Sequence, residues 1–196
     1  MPPRYVGPMT SMLSRCSRVL VGLAVLFVSS NAHAALQVEG KPKVTFHAEG
    51  SPGALDIEGK TNALVLTDDG TTLTFHVRME TVDTGIPVRD HHMNEKYVET
   101  AKYPEVTLAV PKAAIPLPTA TGEATNGTIK GTFTAHGVPQ EVDVAWDVRK
   151  SKTGWRMHAK FPFDVQAHGI EIPSYLGVTV DPAMRAEATA DVVDAP

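Results

Sequence analysis

Eight stretches between Val44 and Val192 alternate apolar and polar residues, and no segment repeats with the period of a long amphipathic helix. The third stretch is the cleanest: Leu73, Phe75, Val77 and Met79 share one face, while Thr72, Thr74, His76, Arg78 and Glu80 share the other. Successive side chains of a strand point to opposite sides, so each stretch has one apolar and one polar face. The chain is all-β on this pattern. A flat antiparallel sheet would leave its apolar face in water, because no helix is available to cover it. Closing the sheet on itself hides that face and removes both edges. A two-sheet sandwich satisfies the same alternation, so the pattern alone leaves barrel and sandwich open.

The first stretch carries Val44, Phe46 and Ala48. The second runs from Leu55 to Leu66, and its apolar phase slips between Gly59 and Leu64, which predicts a bulge that curves the sheet. Asp68-Asp69-Gly70 has the chemistry of a hairpin turn. The fourth stretch holds Val106, Leu108 and Val110; the fifth holds Ile129, Gly131, Phe133 and Ala135. Then come Val142, Val144, Trp146 and Val148, followed by Trp155, Met157, Ala159, Phe161, Phe163 and Val165. The last presents Met184, Ala186, Ala188, Ala190 and Val192. Three segments lack a strand period. Residues 82–106 are polar, and Asp90 is expected to cap a short helix running to about Thr100. Residues 111–127 form a Pro/Gly/Thr-rich loop of a length usually tied to function or mobility. Residues 167–182 are irregular as well.

Ahead of the strands, Arg4, Arg15 and Arg18 precede the apolar run Val19 to Val28, and Ala32-His33-Ala34 offers a small-x-small cleavage pattern. Residues 1–34 therefore read as a secretory signal peptide, and residues 35–196 as a single domain in the periplasm or outside the cell. The run is too short for a comfortable membrane span, so no stable membrane insertion is expected once the signal is gone. Cys16, the only cysteine, lies in that signal. The whole chain has 18 Lys plus Arg against 22 Asp plus Glu; without the three signal arginines it carries 15 against 22, a formal charge of −7. Nucleic acid is excluded as a partner, because phosphate binding requires a basic face. Nothing in the sequence sets the oligomeric state.

Catalytic chemistry finds little purchase. There is no G-x-S-x-G elbow, and Ser174 has no evident base. Seven histidines follow the signal, at 47, 76, 91, 92, 136, 158 and 168. A zinc site needs three or four converging ligands, yet only His91 and His92 are close together, and His76 and His158 fall on polar faces. Asp90, His91 and His92 are the one possible nucleus for a metal, which keeps a metal- or stress-related binding protein as the alternative reading. No metal and no cofactor is expected.

The segment 82–106 also carries a resemblance. Asp83-Thr84, Arg89-Asp90-x-His92-Met93, Tyr97 and Lys102-Tyr103-Pro104, followed by Gly131-x-Phe133-x-Ala135-x-Gly137-Val138, resemble the two motifs of the YceI-like domain. The resemblance covers roughly Pro42 to Val193. It implies an eight-stranded antiparallel lipocalin-like barrel with a short helix in the 82–106 element. It also implies a periplasmic or secreted, non-enzymatic protein that binds and carries a long apolar isoprenoid-type lipid, a polyisoprenoid or an isoprenoid-quinone-like molecule. The inward set mixes large residues with a run of small ones; a filled core and a hollow tube fit it equally, and the resemblance favours the tube. The expected lining is Phe75, Val77, Met79, Phe133, Trp146, Trp155, Met157, Phe161 and Phe163, facing Ala186 and Ala188. Tyr97, Tyr103 and Tyr175 are expected at the mouth, offering hydroxyls to a polar head. The chain departs from the family where HGIEIPSYLGV (168–178) replaces an Arg-containing segment, and no basic cluster marks a pyrophosphate site.

Overall fold

The computed structural model describes residues 35–52, 55–172, 174–175 and 178–196. The signal-peptide expectation for residues 1–34 and the side chain of Tyr175 lie outside the described residues. Eleven strands form one antiparallel sheet: β1 (Leu36–Ser51), β2 (Leu55–Thr61), β3 (Leu64–Asp68), β4 (Thr72–Arg78), β5 (Glu105–Pro111), β6 (Ala124–Ala135), β7 (Val138–Lys150), β8 (Trp155–Asp164), β9 (Ser174–Tyr175), β10 (Val178–Val180) and β11 (Ala183–Asp194). The ladder runs β3-β4-β5-β6-β7-β8-β11-β1, and β1 pairs β2 along its other edge. Because β2 leads directly into β3, the ring comes back on itself. The result is a barrel and not a sandwich.

Nine strands make the wall where eight stretches were expected, because the second stretch breaks in two. Inward positions step by two through Gly59 and Thr61, then resume at Leu64 and Leu66, with Asn62 and Ala63 between. The Thr61 hydroxyl accepts a hydrogen bond from Ala63 N–H (3.1 Å) and meets the Thr81 hydroxyl at 2.8 Å. The first half of this stave pairs with β1 (Val44 opposite Thr61) and the second with β4 (Leu66 opposite Phe75). Closure is nearly complete. Among the described residues no backbone ladder joins β3 to the start of β1, where the chain bulges between Glu39 and Lys43. The buried Asp68 carboxylate stitches this seam, accepting from Leu36 N–H (2.9 Å) and Lys112 Nζ (2.6 Å).

Strand directions place residues 79–104 and the described residues between 165 and 182 at one end of the barrel, which we call the lid end. The Asp69–Thr71 turn, residues 112–123 and the 151–154 turn lie at the far end. Asp69 builds its turn as the sequence foretold, accepting from the N–H groups of Thr71 (2.8 Å) and Thr72 (2.7 Å).

The lid differs from expectation in its start. The helix α1 (Pro87–His92) begins at Pro87, whose fixed φ suits the first helical position, and not at Asp90. Asp90 lies inside the helix and turns its carboxylate back to Thr84. A wider π-type turn follows over Met93–Tyr97, closed by Val98 N–H donating to the Met93 carbonyl at 2.8 Å. Met79, Val82 and Val98 are buried beneath it. Met79 was expected on the third strand; β4 ends at Arg78, and Met79 opens a short 3-10 turn.

The far-end loop, expected to be functional or mobile, is tied down by hydrogen bonds to the wall. Strand β6 starts at Ala124, earlier than the apolar pattern showed, so only residues 112–123 are left as connection. Ile115 and Pro118 are buried. Thr125 Oγ1 donates to the Pro116 carbonyl (2.7 Å), Trp155 Nε1 to the Pro118 carbonyl (2.9 Å), and Gly122 N–H to the Lys150 carbonyl (2.9 Å).

Candidate ligand-binding cavity

The register of five neighbouring strands, β6, β7, β8, β11 and β1, lines up one row of side chains inside the barrel. Gly127 faces Trp146, Trp146 faces Ala159, Ala159 faces Ala188, and Ala188 faces Val44. One indole is thus followed by two methyl groups in succession, and space opens beside the alanines. The cavity there measures about 80 Å³ and is bordered almost wholly by carbon. His158 and Glu187 touch its edge, but their side chains pair with each other on the outer face (Nε2 to Oε1, 2.9 Å). Among the lining residues there is neither Lys nor Arg.

This space is smaller than a drug-sized pocket of ~300–1,000 Å³. The reason is the placement of the aromatic residues. They do not form one wall facing the alanines; four of the phenylalanines gather toward the lid end. Phe133 meets Phe161 and Phe163 with ring centroids 5.0 and 4.9 Å apart, and Phe46 stands edge-on to Phe163 at 6.5 Å. His168, wholly buried, packs edge-on to Phe133 at 5.2 Å and donates from Nδ1 to the Val138 carbonyl at 2.8 Å. The remaining void is cheap to keep. At ~24 cal/mol per Å³, about 80 Å³ costs roughly 2 kcal/mol, well within a total stability of ~5–15 kcal/mol.

Of the residues expected to line the tube, Phe75, Val77 and Phe133 border the cavity, as do Trp146, Met157 and Phe161. Ala186 and Ala188 border it as well. Met79 is buried under the lid, outside it, and Phe163 is half-buried in the aromatic cluster. Trp155 stands at the far end, bound to Pro118, with Lys150 Nζ 3.8 Å above its ring. The two described tyrosines are not at the cavity. Tyr103 stacks on His136 (4.2 Å between centroids), and Tyr97 is half-buried on the lid with Lys96 Nζ 5.1 Å from its ring. Several lining residues went unnamed in the sequence reading. Val44, Phe46 and Ala190 were on inward faces already; Ile115 comes from the far-end loop, where no period could have flagged it.

The motif residues have a different task. Asp90 Oδ1 accepts from Thr84 N–H (3.0 Å) and from the Thr84 hydroxyl, while Arg89 donates from Nε to Thr84 Oγ1 (2.8 Å) and from Nη2 to the Thr84 carbonyl (2.6 Å). Asp83 bridges to Lys60 through both backbone groups (2.8 and 2.9 Å), which anchors the lid on β2. The two motifs meet at the β6–β7 corner. Gly137 has φ +74°, and a Cβ there would lie 2.8 Å from Tyr103 Cε1. Beside it Glu99 and His136, both at φ +51°, are joined by a 2.7 Å hydrogen bond. His91 and His92 are exposed, and His91 Nε2 lies 3.2 Å from Glu95. With Asp90 engaged by Thr84, no group of three metal-ligating side chains forms among the described residues.

The family model of the YceI-like domain matches residues 31–192. The chain belongs to this family. Two solved structures share the fold of this YceI-like domain. One is a polyisoprenoid binding domain from Saccharophagus degradans, with 18% identity, a TM-score of 0.67, and coverage of 84% of this chain and 100% of that one. The other is BcnA of Burkholderia cenocepacia, with 14% identity, a TM-score of 0.56, and coverage of 76% and 96% respectively. No curated protein sequence matches this chain.

Proposed function

We propose that this YceI-like barrel binds and carries a long apolar lipid of the isoprenoid class, in the periplasm or outside the cell, and catalyses no reaction. The observation that carries the proposal is the row Trp146–Ala159–Ala188–Val44, which leaves a carbon-lined space inside a nearly closed wall. The Saccharophagus domain, described as polyisoprenoid binding, supports the ligand class. Of the residues expected to line the tube, those that border the cavity, among them Phe133, Trp146, Phe161 and Ala188, enter this proposal as its wall. Each methylene moved from water into the barrel contributes about 0.8 kcal/mol, so a prenyl chain can displace loosely packed side chains and enlarge the void as it enters. The aromatic cluster of Phe46, Phe161 and Phe163 is the set that must yield. The N-terminal charge and apolar pattern support export.

Native mass spectrometry of protein purified from its own host tests the proposal. The expected result is a bound mass that is released by organic solvent and fragments in prenyl units. A bound transition metal, or a protein that stays ligand-free after exposure to host lipid extract, overturns it.

A further inference from the structure

Resting on that carrier reading, the wall itself indicates where a ligand passes in and out. Strand β4 pairs with β5 over seven residue pairs, and β6 with β7 over twelve. Between them β5 and β6 pair over only three, Thr107 to Ala109 opposite Thr132 to Thr134. Strand β5 ends two residues on, at Pro111, which has no N–H to offer a neighbour. Strand β6 extends from Gly131 back to Ala124 with no ladder partner on that flank among the described residues. A groove of about 290 Å³ opens on the outer surface there, bordered by Thr71, Thr72, Pro111, Lys130, Thr132 and Glu141. Of the described residues, Val110 alone borders both this groove and the carbon-lined cavity inside. Gly131 stands against it and adds no side chain to the wall; a Cβ there would lie 2.9 Å from Val110 Cγ1.

The other break in the ladder, between β3 and the start of β1, is stitched by the buried Asp68 carboxylate. At the β5–β6 slot the cover is the segment 112–118. It is anchored at Lys112, through Thr71 and Asp68, and at Pro118, through Trp155. Between those anchors a single hydrogen bond among the described residues joins it to β6, from Thr125 Oγ1 to the Pro116 carbonyl (2.7 Å). Ile115 of this segment and Ile129 of β6 both border the cavity, so the way in behind the cover is apolar. We infer that the β5–β6 slot is the portal through which an apolar ligand enters and leaves the barrel, with Val110 as its gate. Opening it breaks no ladder bond: Val110 turns, and the Pro116 bond parts while the two anchors hold. At the lid end the same passage would separate Phe133 from Phe161 and Phe163 and lift a lid bound to β2 by both Asp83–Lys60 hydrogen bonds. Packed rings and paired backbone cost more to part than one side-chain hydrogen bond, so the slot is the easier route.

Two disulfide locks separate the routes, each built on a close contact and made in a Cys16→Ser background. Val110→Cys with Gly131→Cys closes the slot. Gly59→Cys with Val82→Cys closes the lid, where a Cβ at 59 would lie 2.7 Å from Val82 Cγ1. Each protein is loaded with radiolabelled squalene while reduced, and release to excess phosphatidylcholine vesicles is timed before and after oxidation. Oxidising the slot lock should slow release at least about tenfold, with reductant restoring it, while oxidising the lid lock should change it less than about twofold. A lid lock that slows release, alone or together with the slot lock, overturns the portal, and so do two locks without effect. Should the slot pair fail to fold or to oxidise, Thr125→Val decides: it removes the bond holding 112–118 to β6 and should speed release roughly two- to tenfold. Unchanged release in that variant overturns the portal. In all these outcomes the carrier reading stands, because squalene is bound. If the parent protein takes up no squalene, the carrier reading fails and the portal with it.

Discussion

Ala188→Leu asks whether the space beside the alanine row is free. Ala188 borders the cavity, flanked by Ala159 on β8 and Val44 on β1, and leucine adds three carbons there. At about 0.8 kcal/mol per buried methylene the gain is up to ~2.4 kcal/mol. Filling a void of about 80 Å³ at ~24 cal/mol per Å³ returns about 2 kcal/mol. The two routes agree. For a chain of this size ~1 kcal/mol moves Tm by about 2–4 °C, so delipidated Ala188→Leu should melt roughly 4–8 °C higher than the parent. It should also lose most of its squalene binding, measured by titration of the delipidated protein. Ala188→Trp exceeds the void and should instead lose ~1–3 kcal/mol through overpacking. If leucine destabilises by the amount expected of tryptophan, no free space exists at this position and the reasoning fails.

Three further outcomes follow from particular contacts. Gly137→Ala should cost at least ~1–2 kcal/mol, because φ is +74° and the new methyl meets Tyr103; an unchanged urea midpoint contradicts the corner described above. Burial works against protonation of His158, yet Glu187 and Asp147, each at 2.9 Å, outweigh it and raise its pKa above the ordinary value. A raised folded-state pKa gives stability that is fully present below the unfolded value of ~6.5 and is lost as pH rises through the folded one; NMR titration of His158, beside urea unfolding of His158→Gln at both pH extremes, checks the sign. Exported protein should begin at Ala35 and carry no thiol, which intact mass with thiol labelling decides.

Strand phase was legible because one face of each stretch is buried, and a buried face fixes the period. The slip at Gly59–Leu64 was visible for the same reason; that it is a break at Asn62–Ala63 was not, since the Thr61 hydroxyl bonds that shape it join residues distant in sequence. The helix start was misplaced because Asp90 is as good a cap chemically as any, while its carboxylate is taken by Thr84. The far-end loop looked irregular from its length and its Pro/Gly/Thr content; the partners that hold it, Trp155, Lys150 and Asp68, come from other parts of the barrel. Most of the residues that border the cavity lie on the alternating inward faces of β1, β4, β5, β6, β7, β8 and β11. Alternation cannot say how deep a residue lies along the barrel, so the gathering of Phe46, Phe133, Phe161 and Phe163 at the lid end escaped it. Tyr97 and Tyr103 suggested a mouth, but Tyr103 packs on His136 at the β6–β7 corner and Tyr97 is half-buried on the lid.

The central claim is that a prenyl chain lies inside the barrel against the alanine row. Intermolecular NOEs between squalene and methyl-labelled delipidated protein measure this directly. The claim predicts NOEs from squalene methyls to the methyls of Ala159 and Ala188. It is contradicted if, at saturating squalene, NOEs reach only the exposed Leu55, Ile86 and Val88.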